Sequence, residues 1–354
     1  MKRFVLHLLC LLPALGLWQC NGKSVVTDVV IEEQSYIISA GEELQLTASV
    51  FPEDAQDKTI IWTSSDESVA NVDADGTVTG IKAGSATISA RCGEGEDSCT
   101  IVVTEPVEPG GYYYSDGTWS SELDASKEVI GIVFWAGDPG KDDPVLRNDF
   151  PACTHGFAVS LEALDGLTSW QADYQTYWDE EEGFIGRWME SALSGYASIS
   201  SSTDPGDNLN KILGYNNTKV IEAFNAADGN DAWRVNIIDK ITEFRSEVQA
   251  PETSSGWYLP SVKELSLLCV GEYDGNIWDI SGEMTGNRTL IEKSIAAAGG
   301  DLFEEMGYWS STEYWKEDEA DAYSYVFRVR FGDGNTIQNL KDNRRYRVRA
   351  VLAF

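Results

Sequence analysis

The sequence predicts a multidomain protein, an all-β sandwich followed by an α+β domain. Three observations predict it. Residues 24–104 hold short alternating strands separated by turn residues. Residues 105–111, EPVEPGG, form a Pro/Gly linker. Residues 112–354 mix apolar strand-like runs with segments of helical period.

Composition sets the setting. The 354 residues are 42% hydrophobic and 11% aromatic, enough for packed cores. The formal net charge of −32 repels nucleic acid and anionic membrane surfaces, so neither is an expected partner. Lys2 and Arg3 precede an apolar run, Phe4 to Leu17, of signal-peptide length and too short for a stable span. Export is therefore expected, with residues 1–19 as signal peptide. Leu17-Trp18-Gln19-Cys20 resembles a bacterial lipobox, although small residues are usual where Trp18 and Gln19 stand. The resemblance implies a lipid anchor on Cys20, a tether over 20–23 and a place in the envelope of a Gram-negative bacterium, at the outer membrane or cell surface. The anchor is the expected membrane contact.

The first domain is expected over 24–104. VVTDVVIEEQSYIIS and GEELQLTASVFP alternate as strands do, and Asp75-Gly76 and Ala83-Gly84 mark turns. Cys92 and Cys99 flank GEGEDS, and in an oxidising compartment they are expected to close a short disulfide. Cys153 and Cys269 either pair or stay as separate buried thiols. Asp73-Ala74-Asp75-Gly76 lacks the further ligands of a calcium loop and reads as a hairpin turn.

Trp62-Thr63-Ser64-Ser65-Asp66, Ser68-Val69-Ala70, Gly76-x-Val78-Thr79-Gly80 and Gly84-x-Ala86-Thr87-Ile88 together resemble the bacterial group 2 immunoglobulin-like domain. The resemblance implies a surface or periplasmic spacer.

In 112–354, Trp233, Ile237, Ile241, Phe244 and Val248 recur at helical steps, so 231–248 is expected to be an amphipathic helix. A second helix is expected over 212–226. Ser261 and Glu264 have capping-box spacing, so a third starts at Ser261. Alternation in SYVFRVRF and in RYRVRAVLAF, with Gly332-Asp333-Gly334-Asn335 between them, predicts a C-terminal hairpin whose last residue, Phe354, faces the core. Arg328, Arg330, Arg345, Arg347 and Arg349 are expected to pair with nearby carboxylates.

GWYLPSVKEL, YWSSTEYW, a strand with FRVRF and the terminal RVRAV strand, in that order, resemble the C-terminal domain of bacterial collagen-like adhesins, a former domain of unknown function with a C-type-lectin-like fold. Tyr114-x-Asp116-Gly117-x-Trp119 and Ile130-Gly131-Ile132-Val133 extend the match upstream. The resemblance implies that Trp119, Trp257 and Trp309 pack in the core, and that Ser310 and Ser311 satisfy backbone groups at a turn. Tyr314 and Trp315, just beyond, are candidates for exposure and ligand contact. So are Trp170, Tyr177 and Trp178 in the polar, aromatic segment 165–210, which is either a recognition surface or a packed insertion.

Enzyme chemistry finds little support. His155 is the one histidine beyond the signal region, no G-x-S-x-G elbow accompanies it, and no CxxC pair or P-loop spacing occurs. Neither cofactor nor metal is expected. The sugar-binding triplet of calcium-dependent lectins is absent, and the surroundings of Cys153 and Cys269 do not match the formylglycine-generating enzymes that share the fold. The expected function is non-enzymatic, adhesin-like recognition of a glycan or protein. A structural or assembly subunit of a surface complex is the rival, and a glycan-acting hydrolase a distant third.

Overall fold

The structure, a computed structural model, describes residues 24–171, 183–316, 324–342 and 344–354. The signal region with Cys20, and the ligand candidates Tyr177 and Trp178, lie outside the described residues. The chain forms two compact units. One comprises the chain up to Ile38 and Glu42–Val102; the other, Ser39–Gly41 and Val103–Phe354.

The first unit is all β. Its strands are β1 (Asp28–Ile31), β2 (Ser35–Ser39), β3 (Glu43–Gln45), β4 (Ala48–Phe51), β5 (Ile61–Ser64), β6 (Ala70–Val72), β7 (Thr77–Gly80), β8 (Gly84–Cys92) and β9 (Gly95–Thr104). They make sheets of order β2-β9-β8-β5, β3-β7-β6 and β1-β4. Alternation along β8 buries Ala86, Ile88, Ala90 and Cys92 on one face, as period-2 geometry requires. The Asp73 carboxylate closes the turn before β7 by accepting from the amides of Asp75 and Thr77, at 2.9 and 2.8 Å. Gly76 sits there at φ +85°, and a Cβ would stand 2.9 Å from the Trp62 ring.

The expected Cys92–Cys99 disulfide is not formed. Both thiols are free and buried. β8 ends at Cys92 and β9 starts at Gly95, so Gly93-Glu94 is a two-residue turn. Antiparallel pairing from that turn sets Cys92 opposite Gly95 and Cys99 opposite Ile88, four rows away. At about 3.3 Å per residue, this separation exceeds what a disulfide spans. Cys153 and Cys269 are also free and buried.

The second unit is α+β. Its elements are β10 (Tyr112–Tyr114), β11 (Trp119–Ser120), β12 (Val129–Ala136), α1 (Pro144–Asp149), β13 (Gly156–Ser160), α2 (Ile185–Ala192), β14 (Ser200–Ser201), α3 (Gly214–Ala226), α4 (Asn236–Glu247), α5 (Val262–Val270), α6 (Gly286–Ala298), β15 (Gly307–Tyr314), β16 (Tyr325–Arg330), β17 (Thr336–Leu340) and β18 (Val351–Ala353). One sheet runs β11-β10-β12-β13-β18, the other β14-β15-β16-β17. Phe134, Phe157, Leu265, Phe327 and Val351 belong to a single apolar core.

The capping box at α5 is complete. Ser261 Oγ accepts from the Glu264 amide, and Glu264 Oε2 accepts from the Ser261 amide at 2.6 Å. α4 covers most of the expected 231–248 helix and buries Ile237, Ile241 and Phe244, while Trp233 falls in a preceding 3-10 turn. No side chain of its own caps α3. Two buried carboxylates do so from other elements: Glu264 accepts from the Gly214 amide at 3.3 Å and Asp143 from the Asn216 amide at 2.8 Å.

The expected C-terminal hairpin is corrected. Gly332–Asn335 turns the chain into β17, which pairs with β16. The terminal strand β18 instead pairs with β13 in the other sheet. Phe354 is buried, its ring 4.6 Å from Tyr113 and 5.1 Å from Trp119. The expected pairing of the arginines with carboxylates holds in part and is corrected at Arg349. Arg330 pairs with Asp333 and Arg347 with Glu304. Arg349 is fully buried and donates to the carbonyls of Ser160, Leu161 and Asp301.

Candidate functional site

Trp309 and its neighbours form a structural strand. Trp309 is fully buried, and its indole N–H donates to the Thr168 carbonyl at 2.8 Å. Ser310 Oγ donates to the Phe327 carbonyl at 2.7 Å, and Thr312 Oγ accepts from the Val262 amide at 3.1 Å. Ser310 thus satisfies a backbone group of the neighbouring strand and Thr312 one at the start of α5, and neither acts at a turn. Ser311 Oγ has no hydrogen-bond partner among the described residues. Trp257 and Trp119 are buried too, donating to the carbonyls of Val248 and Glu105.

Two ligand candidates are corrected to core residues. Trp170 is fully buried, with its N–H on the Ser310 carbonyl at 2.8 Å. Tyr314 is buried against Tyr325 and Phe327. The strand runs one residue further into the core than the sequence suggested, because β14 pairs alongside β15 through Ser201 and Tyr314.

Among the described candidates, Trp315 reaches a concave surface. It is half-buried and lines a cleft of about 290 Å³ with Phe184, Arg187, Glu190, Ser200 and Asp207. Its ring lies 5.2 Å from Phe184, stacked, and the Arg187 guanidinium is 5.9 Å from its centroid. Its amide donates to the Ser201 carbonyl at 2.9 Å.

The walls are held from behind. α2 begins after Phe184 without a side-chain cap of its own. The Glu313 carboxylate supplies one, accepting from the amides of Ile185 (3.3 Å) and Gly186 (2.8 Å). Lys341 Nζ meets the same carboxylate at 2.5 Å, and both side chains are fully buried. The ammonium also faces the rings of Trp170 and Phe184, at 5.2 and 5.6 Å. Burial pulls the Lys341 pKa down, against the pull of Glu313. Gly186 permits the close approach of α2 to β14, since a Cβ would stand 2.0 Å from Ser200 Oγ. On the far wall, Asp207 accepts from Ser202 Oγ and amide. The Asn216 side chain bonds both the amide and the carbonyl of Ala197, each at 2.9 Å, steadying the approach to Ser198.

Sequence reasoning missed Phe184, Arg187, Glu190 and Asp207 as individuals, although all lie in the 165–210 segment it singled out. Arg187 and Glu190 sit at i and i+3 on α2, a spacing readable in IGRWMESA. Their convergence with Trp315, more than a hundred residues away, was not. Among the described residues no cluster of three or more His, Cys, Asp or Glu could hold a metal, and no helix is long and apolar enough to cross a membrane.

Fold and site define a multidomain protein, mostly β, that joins an immunoglobulin-like domain to a unit with the fold of fimbrial proteins. Residues 25–103 match the bacterial Ig-like domain (group 2). A crystal structure of a fimbrial protein from Bacteroides ovatus superposes with a TM-score of 0.52 at 18% identity, over 93% of this chain and 71% of that one. A candidate fimbrium tip subunit of Bacteroides ovatus, Fim1C, is 28% identical over 276 residues, which is 71% of this chain and 46% of the relative. The chain thus spans less than half the length of that relative. An α-L-arabinofuranosidase of Bifidobacterium longum is 54% identical over 91 residues, only 26% of this chain and 8% of the enzyme.

Proposed function

We propose that this chain is a non-enzymatic recognition subunit of a bacterial cell surface. The second unit, read as C-type-lectin-like, binds an extracellular ligand in the Trp315 cleft, and the immunoglobulin-like unit is its spacer. The carrying observation is that a half-exposed aromatic and charged side chains share one cleft, while a buried ion pair fixes the cleft's wall. Small, mostly pre-formed concave sites with a few placed polar groups are the usual form of ligand sites. The likeness to a fimbrium tip subunit supports a role at the outer face of the cell.

The test is to present the full chain to arrays of immobilised glycans and matrix proteins, with Trp315→Ala alongside. Binding that Trp315→Ala abolishes while melting is retained is the expected result. Binding unaffected by the variant, or none, overturns the reading. We also propose anchoring through Cys20. A Cys20→Ala chain is expected to lose lipid labelling and leave the membrane fraction; unchanged retention there refutes the anchor.

A further inference from the structure

We propose that the Trp315 cleft takes one neutral sugar ring, gripped at a pair of adjacent hydroxyls by Arg187 and Glu190. This rests on the cleft being the recognition site. Arg187 and Glu190 are three residues apart on α2, so they rise from the same side of the helix, and both are exposed. A guanidinium only donates and an ionised carboxylate only accepts. A hydroxyl does both, so two adjacent hydroxyls can bond to both groups at once, one accepting from Arg187 and the other donating to Glu190.

The remaining lining agrees. Trp315, backed by Phe184, offers an apolar surface to the C–H face of a ring. Ser198, Ser200 and Asp207 put further hydroxyl and carboxylate oxygens around it, polar neighbours that suit a hydroxylated ligand better than an apolar one. Charge argues against an anion, since among the described residues Glu190 and Asp207 outnumber Arg187 in the cleft and the chain carries −32. The volume, about 290 Å³, sits at the lower end for ligand pockets, which suits one ring and not an extended chain.

The experiment is saturation-transfer NMR on the full chain with methyl glycosides of glucose, galactose, mannose, fucose and N-acetylglucosamine, and with methyl glucuronoside as the anionic comparison. Trp315→Ala, Arg187→Gln and Glu190→Gln are run in parallel. The last two change exposed residues and are expected to melt as the parent does. At least one neutral glycoside should bind, the glucuronoside at least tenfold more weakly, and each charge variant should lose about tenfold. A glucuronoside that binds as well as the neutral sugars overturns the proposal. So does neutral-sugar binding that all three variants leave intact. If no glycoside binds but a matrix protein is captured in a Trp315-dependent way, the ligand class is wrong and the recognition site stands. Failure of sugars and arrays together overturns both.

Discussion

Lys341 Nζ lies 2.5 Å from Glu313 Oε1, and neither side chain touches solvent. Glu313 is on β15 and Lys341 directly follows β17, with β16 between the two strands. The pair therefore ties the sheet across a strand, and the same carboxylate caps α2 at the cleft. Removing one partner takes that counter-ion from the other in a dry site. Lys341→Met or Glu313→Gln should each destabilise by about 3–5 kcal/mol in denaturant unfolding. The double variant should cost clearly less than the sum, because no charge is left buried alone.

Glu264 predicts a pH dependence. Burial, reinforced by nearby Asp143, pushes its pKa up to about 7 from an ordinary 4.5, against the amide bond from Ser261 that favours the charged form. Asp143 is raised by its own burial. A raised folded-state pKa means the folded protein keeps its proton where the unfolded chain has lost it. The Glu264 contribution is thus fully present below pH 4.5 and lost as pH rises to about 7. The two values convert to roughly 3 kcal/mol. Glu264→Gln should flatten the fall in unfolding free energy between pH 4.5 and 7, leaving the weaker Asp143 slope. An equally steep fall in the variant would place the proton elsewhere.

Trp309→Ala should cost on the order of 3–5 kcal/mol, since it empties a fully buried site and removes one of the two donors to the Thr168 carbonyl, the Tyr346 amide being the other. Thermal melting of the purified chain measures it. A drop as small as that of a surface substitution would show the strand is not part of the core.

Cys92 and Cys99 should alkylate fully once the chain is unfolded without reductant, as mass spectrometry of the labelled peptides would record. A linked Cys92–Cys99 peptide would mean that β8 and β9 pair in another register.

Much of the architecture was legible before any coordinates. Residues 24–104 alternate with period 2 and turn at Asp75-Gly76, and both are local properties of the chain. The α5 start was readable because a capping box needs only Ser261 and Glu264, three residues apart. The burial of Phe354 followed from alternation alone.

The errors share one cause, which is partner choice. RYRVRAVLAF reads as a strand, yet nothing in it says that β18 will join β13 rather than β16. Tyr314 and Trp315 are adjacent and similar in composition, and only the pairing of β14 along β15 buries the first and leaves the second at a cleft. Cys92 and Cys99 are close in sequence, but a two-residue turn places them four rows apart. Arg349 looks like a surface cation until three carbonyls, two at the end of β13 and one at Asp301, close around it. Local pattern determines which segments become strands and helices, because backbone geometry and capping act over a few residues. Which strand pairs with which, and which polar groups meet in the interior, is decided by contacts between residues tens to hundreds of positions apart. That is why the sequence alone pointed to the 165–210 segment, and the tertiary structure alone joined Arg187 and Glu190 to Trp315.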